Sequence, residues 1–277
     1  MKDTVRGYMR ASPVARQIAQ LDLGDGCGVA IWENQDDERH YDAPRDHTFS
    51  LYLQGGTGTQ RLDAGGIAGR PGAICVMPEG CGSAWRITAR FRFVHLYLSD
   101  ARLRSGFAWI HDCDARQIDL PEATFAENPR MAGPLRAISA AALDGDALRG
   151  GTAVSDLIRG LSPRRVPLRG GMAPYLLRRV DDWIEAHLDQ TIHLADLALL
   201  TDLSPFHFHR MFQHSRGMAP HAWVTHRRVM RAQTLLAGHA PIAAISAACG
   251  FSSQSHMTRV FQARTGMTPA RYRRLSA

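Results

Sequence analysis

A chain of 277 residues with a net charge of +7, 45% apolar and 21% charged, has a globular composition and enough length for two domains rather than one. No run of about 18 apolar residues marks a membrane span, and the opening "MKDTVRGYMRASPVARQ" lacks the hydrophobic stretch of a secretory signal. The five cysteines (Cys27, Cys75, Cys81, Cys113, Cys249) are scattered without a CxxC pair, which argues against a zinc cluster or a disulfide framework and for a reducing cytoplasm.

Residues 25 to about 100 read as strands. "TFSLYLQGG" (Thr48 to Gly56) alternates apolar and polar residues and ends in a glycine turn. "GRPGAICVMPEG" (Gly69 to Gly80) is a short β-rich run between Pro-Gly and Pro-Glu-Gly turn signals. "AWRITARFRFVHLYLSD" (Ala84 to Asp100) alternates over a long span. It places Phe91, Phe93, His95 and Tyr97 on one face and Val94, Leu96 and Leu98 on the other. Short strands with frequent turns and no helices between them predict a small antiparallel barrel or sandwich.

The pattern then becomes helical, after Pro134 and again over Thr152 to Leu161. "SPRRVPLRGGMAP" (Ser162 to Pro174), rich in proline, glycine and arginine, reads as a linker. It sets domain limits at 1–165 and 174–277 with 166–173 between them. Every later segment has helical spacing.

The last third is one-sided in charge. From Leu203 to Ala277 there are ten arginines, seven of the thirteen histidines and no Asp or Glu. A polyanionic partner follows, nucleic acid or a membrane surface. The same region repeats itself: "HRMFQHSRGMAP" (His209 to Pro220) returns 49 residues later within "GFSSQSHMTRVFQARTGMTP" (Gly250 to Pro269). Each copy reads as a short apolar helix, a tight turn and a second helix, at about 194–215 and 242–264. Ser204 is the N-cap of the first copy's second helix, with Pro205 at its first position; Ser252 or Ser253 caps the second copy's. The helix offset is 48 before the turn and 49 after it, so one residue is gained in the turn.

Helix, turn, helix is the unit whose second helix enters a DNA major groove. Phe208, Met211 and Phe212, like Met257, Val260 and Phe261, form apolar stripes for a core. Phe206, His209 and Arg210 in the first copy, and Gln254, Ser255, Thr258 and Arg259 in the second, lie off those stripes. Arg bonds guanine bidentately, Gln bonds adenine, and Thr or Phe touches a thymine methyl.

"LADLALLTDLSPFHFHRMFQHSRGMAPHAWVTHRRVMRAQTLL" and "IAAISAACGFSSQSHMTRVFQARTGMTPARYRR" resemble the DNA-binding domain of AraC/XylS-family transcription regulators, over roughly a hundred residues. The resemblance implies two helix-turn-helix units joined by one long helix, about Pro220 to Ala237, reading successive major-groove segments of promoter DNA. By position, Phe206, His209, Arg210, Gln254, Ser255, Thr258 and Arg259 would face bases. Ser204, Arg227, Arg228, Ser253, Arg271 and Arg273, with Arg274, would meet phosphates and set affinity and salt dependence.

"HTFSLYLQGG", "RPGAICVMPEG" and "FRFVHLYLSD" resemble the sensor half of the same regulators. That implies a cupin-like antiparallel β-barrel with flanking helices, a small-molecule effector inside it, and homodimerisation through the region Pro134 to Leu143. His95 and Tyr97 share a strand face and would line the effector pocket with Trp85; the other reading of His95 is a satisfied core histidine. His40, His47 and His95 are scattered without an HxH, so no metal or other cofactor is expected. The reading is an α+β, non-enzymatic, cytoplasmic activator that works with RNA polymerase. Its alternatives are a cupin-type metalloenzyme with an appended DNA-binding module, and a ligand-independent DNA binder controlled by a protein partner.

Overall fold

The computed structural model describes residues 4–65, 68–164 and 170–276. Helix α1 (Val5–Arg10) is capped by Thr4, whose side chain accepts from the Gly7 amide. Strand β1 (Arg16–Gly24) returns as β2 (Cys27–Asn34) through Asp25 and Gly26, at φ 52° and 71°, the left-handed backbone that a two-residue hairpin needs. There follow β3 (Asp37–Tyr41), β4 (His47–Gln54), β5 (Thr59–Arg61), β6 (Ile74–Met77), β7 (Ser83–Ile87) and β8 (Phe91–Leu98). After helix α2 (Asp100–Ile110) comes β9 (Ala123–Ala126).

The strands pair antiparallel in two sheets, β1-β2-β8-β4-β6-β9 and β3-β7-β5, and no ladder joins the sheets among the described residues. The closed barrel expected from the sequence is therefore corrected to an open pair of sheets. Alternation reports which face of a strand is buried, and it is the same whether the outermost strands pair or remain edges.

One core holds residues of both sheets, among them Trp32, Tyr41, Tyr52, Trp85, Phe91, Phe93 and Tyr97. The other face of β8 carries Val94, Leu96 and Leu98, also fully buried. Helix α3 (Pro129–Asp144) packs on β1, β2, β4 and β8, and α4 (Ala147–Arg159) packs on α3 and β1. Helix α3 begins five residues before the Pro134 start read from the sequence. Asn128 caps it, Pro129 opens it, and Pro134 is carried inside, where it forfeits one backbone bond.

The chain divides into two units, Met1–Leu103 with Leu120–Leu161, and Arg104–Asp119 with Ser162–Ala277. Most of α2 and a 3-10 turn at Ala115–Gln117 thus group with the helical unit, a membership that no shift of composition announces. The linker expected at 166–173 lies in part outside the described residues.

The helical unit holds α5 (Pro174–Ala186), α6 (Leu194–Leu199), α7 (Pro205–Arg216), α8 (Pro220–Leu236), α9 (Ile242–Ala248), α10 (Gln254–Thr265) and α11 (Pro269–Ser276). It has two small cores. One joins Val180 and Ile184 of α5 to Leu197, Phe208, Phe212, Trp223 and Val224. The other joins Val229, Ala232 and Leu236 to Ile245, Cys249, Phe251, Met257 and Phe261. Helix α8 feeds its first half to one core and its second half to the other. At 1.5 Å per residue its 17 residues span about 25 Å, and this sets the spacing of the two helix-turn-helix units.

Candidate nucleic-acid interface

The two copies are built to one plan. In α6–α7 the Leu203 amide donates to the Ala198 carbonyl at 3.2 Å, and in α9–α10 the Phe251 amide donates to that of Ser246 at 3.1 Å. Just before each donor the backbone turns left-handed, at Asp202 (φ 55°) and Gly250 (φ 70°). Ser204 then caps α7 directly, accepting from the His207 amide, while Ser253 caps α10 by accepting from that of His256. The residue gained by the second copy is therefore Ser252, whose hydroxyl lies 2.9 Å from His256 Nδ1. Gly217 and Gly266 end α7 and α10 at φ 73°. Met218 and Met267 are buried behind them, and Pro220 and Pro269 open α8 and α11. The shared letters of the repeat are scaffold.

Phe208 and Phe212 on α7, and Met257 and Phe261 on α10, are fully buried; Met211 and Val260 are half-buried beside them. The opposite faces are open. Phe206 is 79% exposed, Arg210 is exposed and His209 half-buried; on α10, Gln254, Ser255 and Arg259 are exposed and Thr258 is half-buried. Arg210 and Arg259 have no hydrogen bond or ion pair to any described residue.

The four α10 positions line one open depression with Gln262 and Ala263. The sequence reading left out Gln262, although it lies four residues after Thr258 and eight after Gln254, on the same helical stripe. Gln213, its counterpart 49 residues earlier, is also exposed.

The remaining arginines separate sharply. Arg216 is 3% exposed, ion-paired with Asp181, and its guanidinium lies 5.2 Å from the centre of the Trp223 ring. Trp223 Nε1 also donates to Asp181 at 2.8 Å. Burial pushes the Asp181 carboxyl above the usual carboxylate range, and the Arg216 charge opposes that push. Of the expected phosphate contacts, Arg227 is paired with Glu185 and lies 3.6 Å from the Trp109 ring centre. Arg228 donates to the Leu188 and Gln190 carbonyls at 3.0 and 2.6 Å, and Arg273 donates to that of Ala240 at 2.6 Å. These three are engaged within the fold and have only their remaining N–H groups for a ligand. Arg271 is exposed with its guanidinium unpaired among the described residues, and Ser204 and Ser253 stand exposed at helix starts.

Residues 197–275 match the family model described as a helix-turn-helix domain. LumQ of Photobacterium leiognathi, a probable transcriptional regulator, is 35% identical over 94 residues, 34% of this chain and 38% of that protein. The regulatory protein PocR of Salmonella typhimurium is 37% identical over 93 residues, 33% of this chain and 30% of PocR. This segment is an AraC/XylS-type helix-turn-helix domain. The chain spans about a third of the length of these relatives. A solved AraC-type DNA-binding domain protein from Chromobacterium violaceum is 27% identical, covering 37% of this chain and 93% of that one at a TM-score of 0.36.

Outside the AraC/XylS-type domain, the sheets enclose a cavity whose lining includes Met9, Ser50, Tyr52, Trp85, Phe93 and His95. Its volume is about 30 Å³, room for one or two waters and roughly a tenth of a usual small-molecule pocket. Trp85 and His95 both line it, with Trp85 Nε1 donating to Ser83 at 2.8 Å. Tyr97 stands behind His95. Its hydroxyl accepts from Trp32 Nε1 at 2.9 Å and lies 3.1 Å from His95 Nδ1. Burial lowers the His95 pKa to about 3, so the imidazole is neutral.

His40 is exposed on β3, whereas His47 and His95 are buried. His47 meets Asp100 and Glu79 in a group with metal-binding composition. Its Nδ1 accepts the Glu79 amide at 3.0 Å and its Nε2 lies 3.2 Å from Asp100 Oδ1. With Nδ1 accepting, Nε2 carries the proton and donates it to Asp100. The ring joins β4, the β6–β7 turn and the start of α2 as a structural bridge.

Proposed function

We propose that this protein is a sequence-specific DNA-binding transcription regulator, an activator, whose promoter binding responds to a small molecule in its N-terminal cavity. One observation carries the DNA part: two reading helices, each buried on an apolar stripe, each turn an unpaired arginine and polar neighbours outward from a segment without acids. The likeness to proteins named as transcriptional regulators supports it.

In this reading Phe206, His209 and Arg210 meet bases through α7, and Gln254, Ser255, Thr258 and Arg259 through α10, with Gln262 extending the row. Ser204, Ser253 and Arg271 meet phosphates, joined by free N–H groups of Arg227, Arg228 and Arg273. The region 1–165 senses and dimerises, using Pro134–Leu143 of α3, where Leu143 is exposed; 174–277 binds DNA; RNA polymerase is the partner at the promoter. The setting is the cytoplasm, and no described helix is long and apolar enough to cross a membrane. Catalysis has no part in this reading.

The test is to sequence genomic fragments retained by the full chain. Wild type should enrich one asymmetric motif, and the double variant Arg210→Ala, Arg259→Ala should not. Retention of the same fragments by both proteins would overturn the assignment.

A further inference from the structure

Several of the cavity's polar side chains are already engaged: Asn34 donates to Asp37, Tyr41 to Met9 Sδ and Trp85 to Ser83. Strand register sets Ser50 of β4 directly beside His95 of β8, with Ala30 of β2 and Cys75 of β6 completing the row. The Ser50 hydroxyl is fully buried and has no hydrogen-bond partner, and such an orphan costs stability in an unliganded core.

His95 is set by its neighbours. The Tyr97 oxygen accepts the Trp32 N–H, so satisfying the Tyr97 hydroxyl proton requires it to donate to His95 Nδ1. The His95 proton then sits on Nε2, which makes no hydrogen bond to any described residue. His95 Nε2–H and Ser50 O–H stand side by side among the rings of Tyr52, Trp85, Phe91 and Phe93, and the Thr59 hydroxyl, also buried without a hydrogen-bond partner among the described residues, lines the same cavity. No carboxylate, arginine or lysine lines the cavity among the described residues. Its titratable groups are held neutral by burial, which lowers His95 to about 3 and raises Cys75 to about 11.

We infer that the effector is a small uncharged aromatic compound bearing a carbonyl, whose oxygen accepts from both His95 and Ser50 while its ring lies among the aromatic side chains. This rests on the effector reading above and narrows it. A carbonyl oxygen has two lone pairs for two donors. An anionic or cationic ligand would lie unpaired at low dielectric, and a polyol would find too few partners. The space of about 30 Å³ means that lining groups must yield on binding. Met9 and Met77, unbranched and adaptable, are the ones suited to do so.

The experiment titrates the full-length protein with acetophenone, benzoate and ethylbenzene, three probes of similar size that differ in charge and acceptor. It reads heat, thermal midpoint and tryptophan fluorescence. Acetophenone should bind, raise the midpoint and perturb fluorescence; benzoate should do none of these; ethylbenzene should bind more weakly. Ser50→Ala should raise the unliganded midpoint, because it removes an orphan hydroxyl, yet weaken acetophenone by about 3- to 10-fold. A purely structural serine would not give those opposite signs. His95→Phe should abolish the preference for the ketone over ethylbenzene. Preferred binding of benzoate, or acetophenone binding that ignores both variants, overturns the ligand class and leaves an effector pocket standing. Silence from all three probes overturns the class as well; if a mixed metabolite extract also leaves promoter affinity unchanged, the effector reading falls with it.

Discussion

Arg259→Ala tests the proposed base contact apart from everything else that the helical unit does. Arg259 is exposed and unpaired among the described residues, while its neighbours Met257 and Phe261 keep the core. Truncation therefore leaves no orphan and opens no cavity, and alanine suits a helix interior, so thermal stability should stay within about 0.5 kcal/mol. A bidentate arginine–guanine contact is worth about 1–3 kcal/mol of discrimination, or roughly 5- to 150-fold in affinity. The loss should fall on the selected promoter. Random DNA of equal length should weaken only by the value of one charge. Fluorescence anisotropy on both duplexes, repeated over a range of salt, measures the two losses together. Equal losses, with a salt slope that falls by about 1 on the promoter, would reduce Arg259 to a phosphate contact.

Arg271→Ala should weaken promoter and random DNA alike and flatten the salt slope by about 1, as seen in the same titrations. Arg228→Ala should show first as lost stability, because the side chain holds the Leu188 and Gln190 carbonyls; two charge-assisted bonds predict a thermal loss of about 2 kcal/mol or more. Gly250→Ala should unfold the second unit by calorimetry. Its Cβ would stand 2.1 Å from the Leu188 carbonyl oxygen at φ +70°, and the backbone conformation alone costs about 1–3 kcal/mol. His95, with its folded pKa lowered to about 3 against about 6.5 unfolded, binds its proton only in the unfolded chain between those values. Stability is fully present above pH 6.5 and declines as pH falls toward 3, by up to about 1.4 kcal/mol per unit. Denaturant titrations should find a shallower decline in His95→Phe.

The helix-turn-helix units were legible because their information is local. Caps, apolar spacing and the repeat lie within about twenty residues, and Ser204, Ser253 and the two buried stripes stand where spacing put them. Even the fate of Arg216 was there to be read, four residues beyond Phe212 and so on the buried stripe. The fates of Arg227 and Arg228 were not, since their acceptors, Glu185 in α5 and the Leu188 and Gln190 carbonyls just after it, lie some forty residues away. In the N-terminal part, the Asp25-Gly26 turn signalled the β1–β2 hairpin, which the sequence reading began one strand too late. Sheet closure left no trace, because the outermost strands carry the same alternation in a sandwich as in a barrel. The grouping of Arg104–Asp119 with the helical unit depends on contacts such as Trp109 with Trp223, at 5.9 Å between ring centres, which no spacing rule encodes.

The two copies share their frame and differ on the outward face, and that difference bears on how a single chain would read DNA. The α10 row, Gln254, Ser255, Thr258, Arg259 and Gln262, is made of hydrogen-bonding groups suited to base edges. The α7 row replaces its start with Phe206, 79% exposed, and with His209. An exposed phenylalanine is best accommodated against a thymine methyl, a contact that discriminates less than a bidentate hydrogen bond. In the proposed reading the second unit would set more of the sequence preference, while the first would add a thymine bias through Phe206 to whatever Arg210 reads. The turns differ as well: Asp202 tolerates the left-handed backbone in the first copy, whereas the second needs Gly250 because Leu188 and Arg228 press against it.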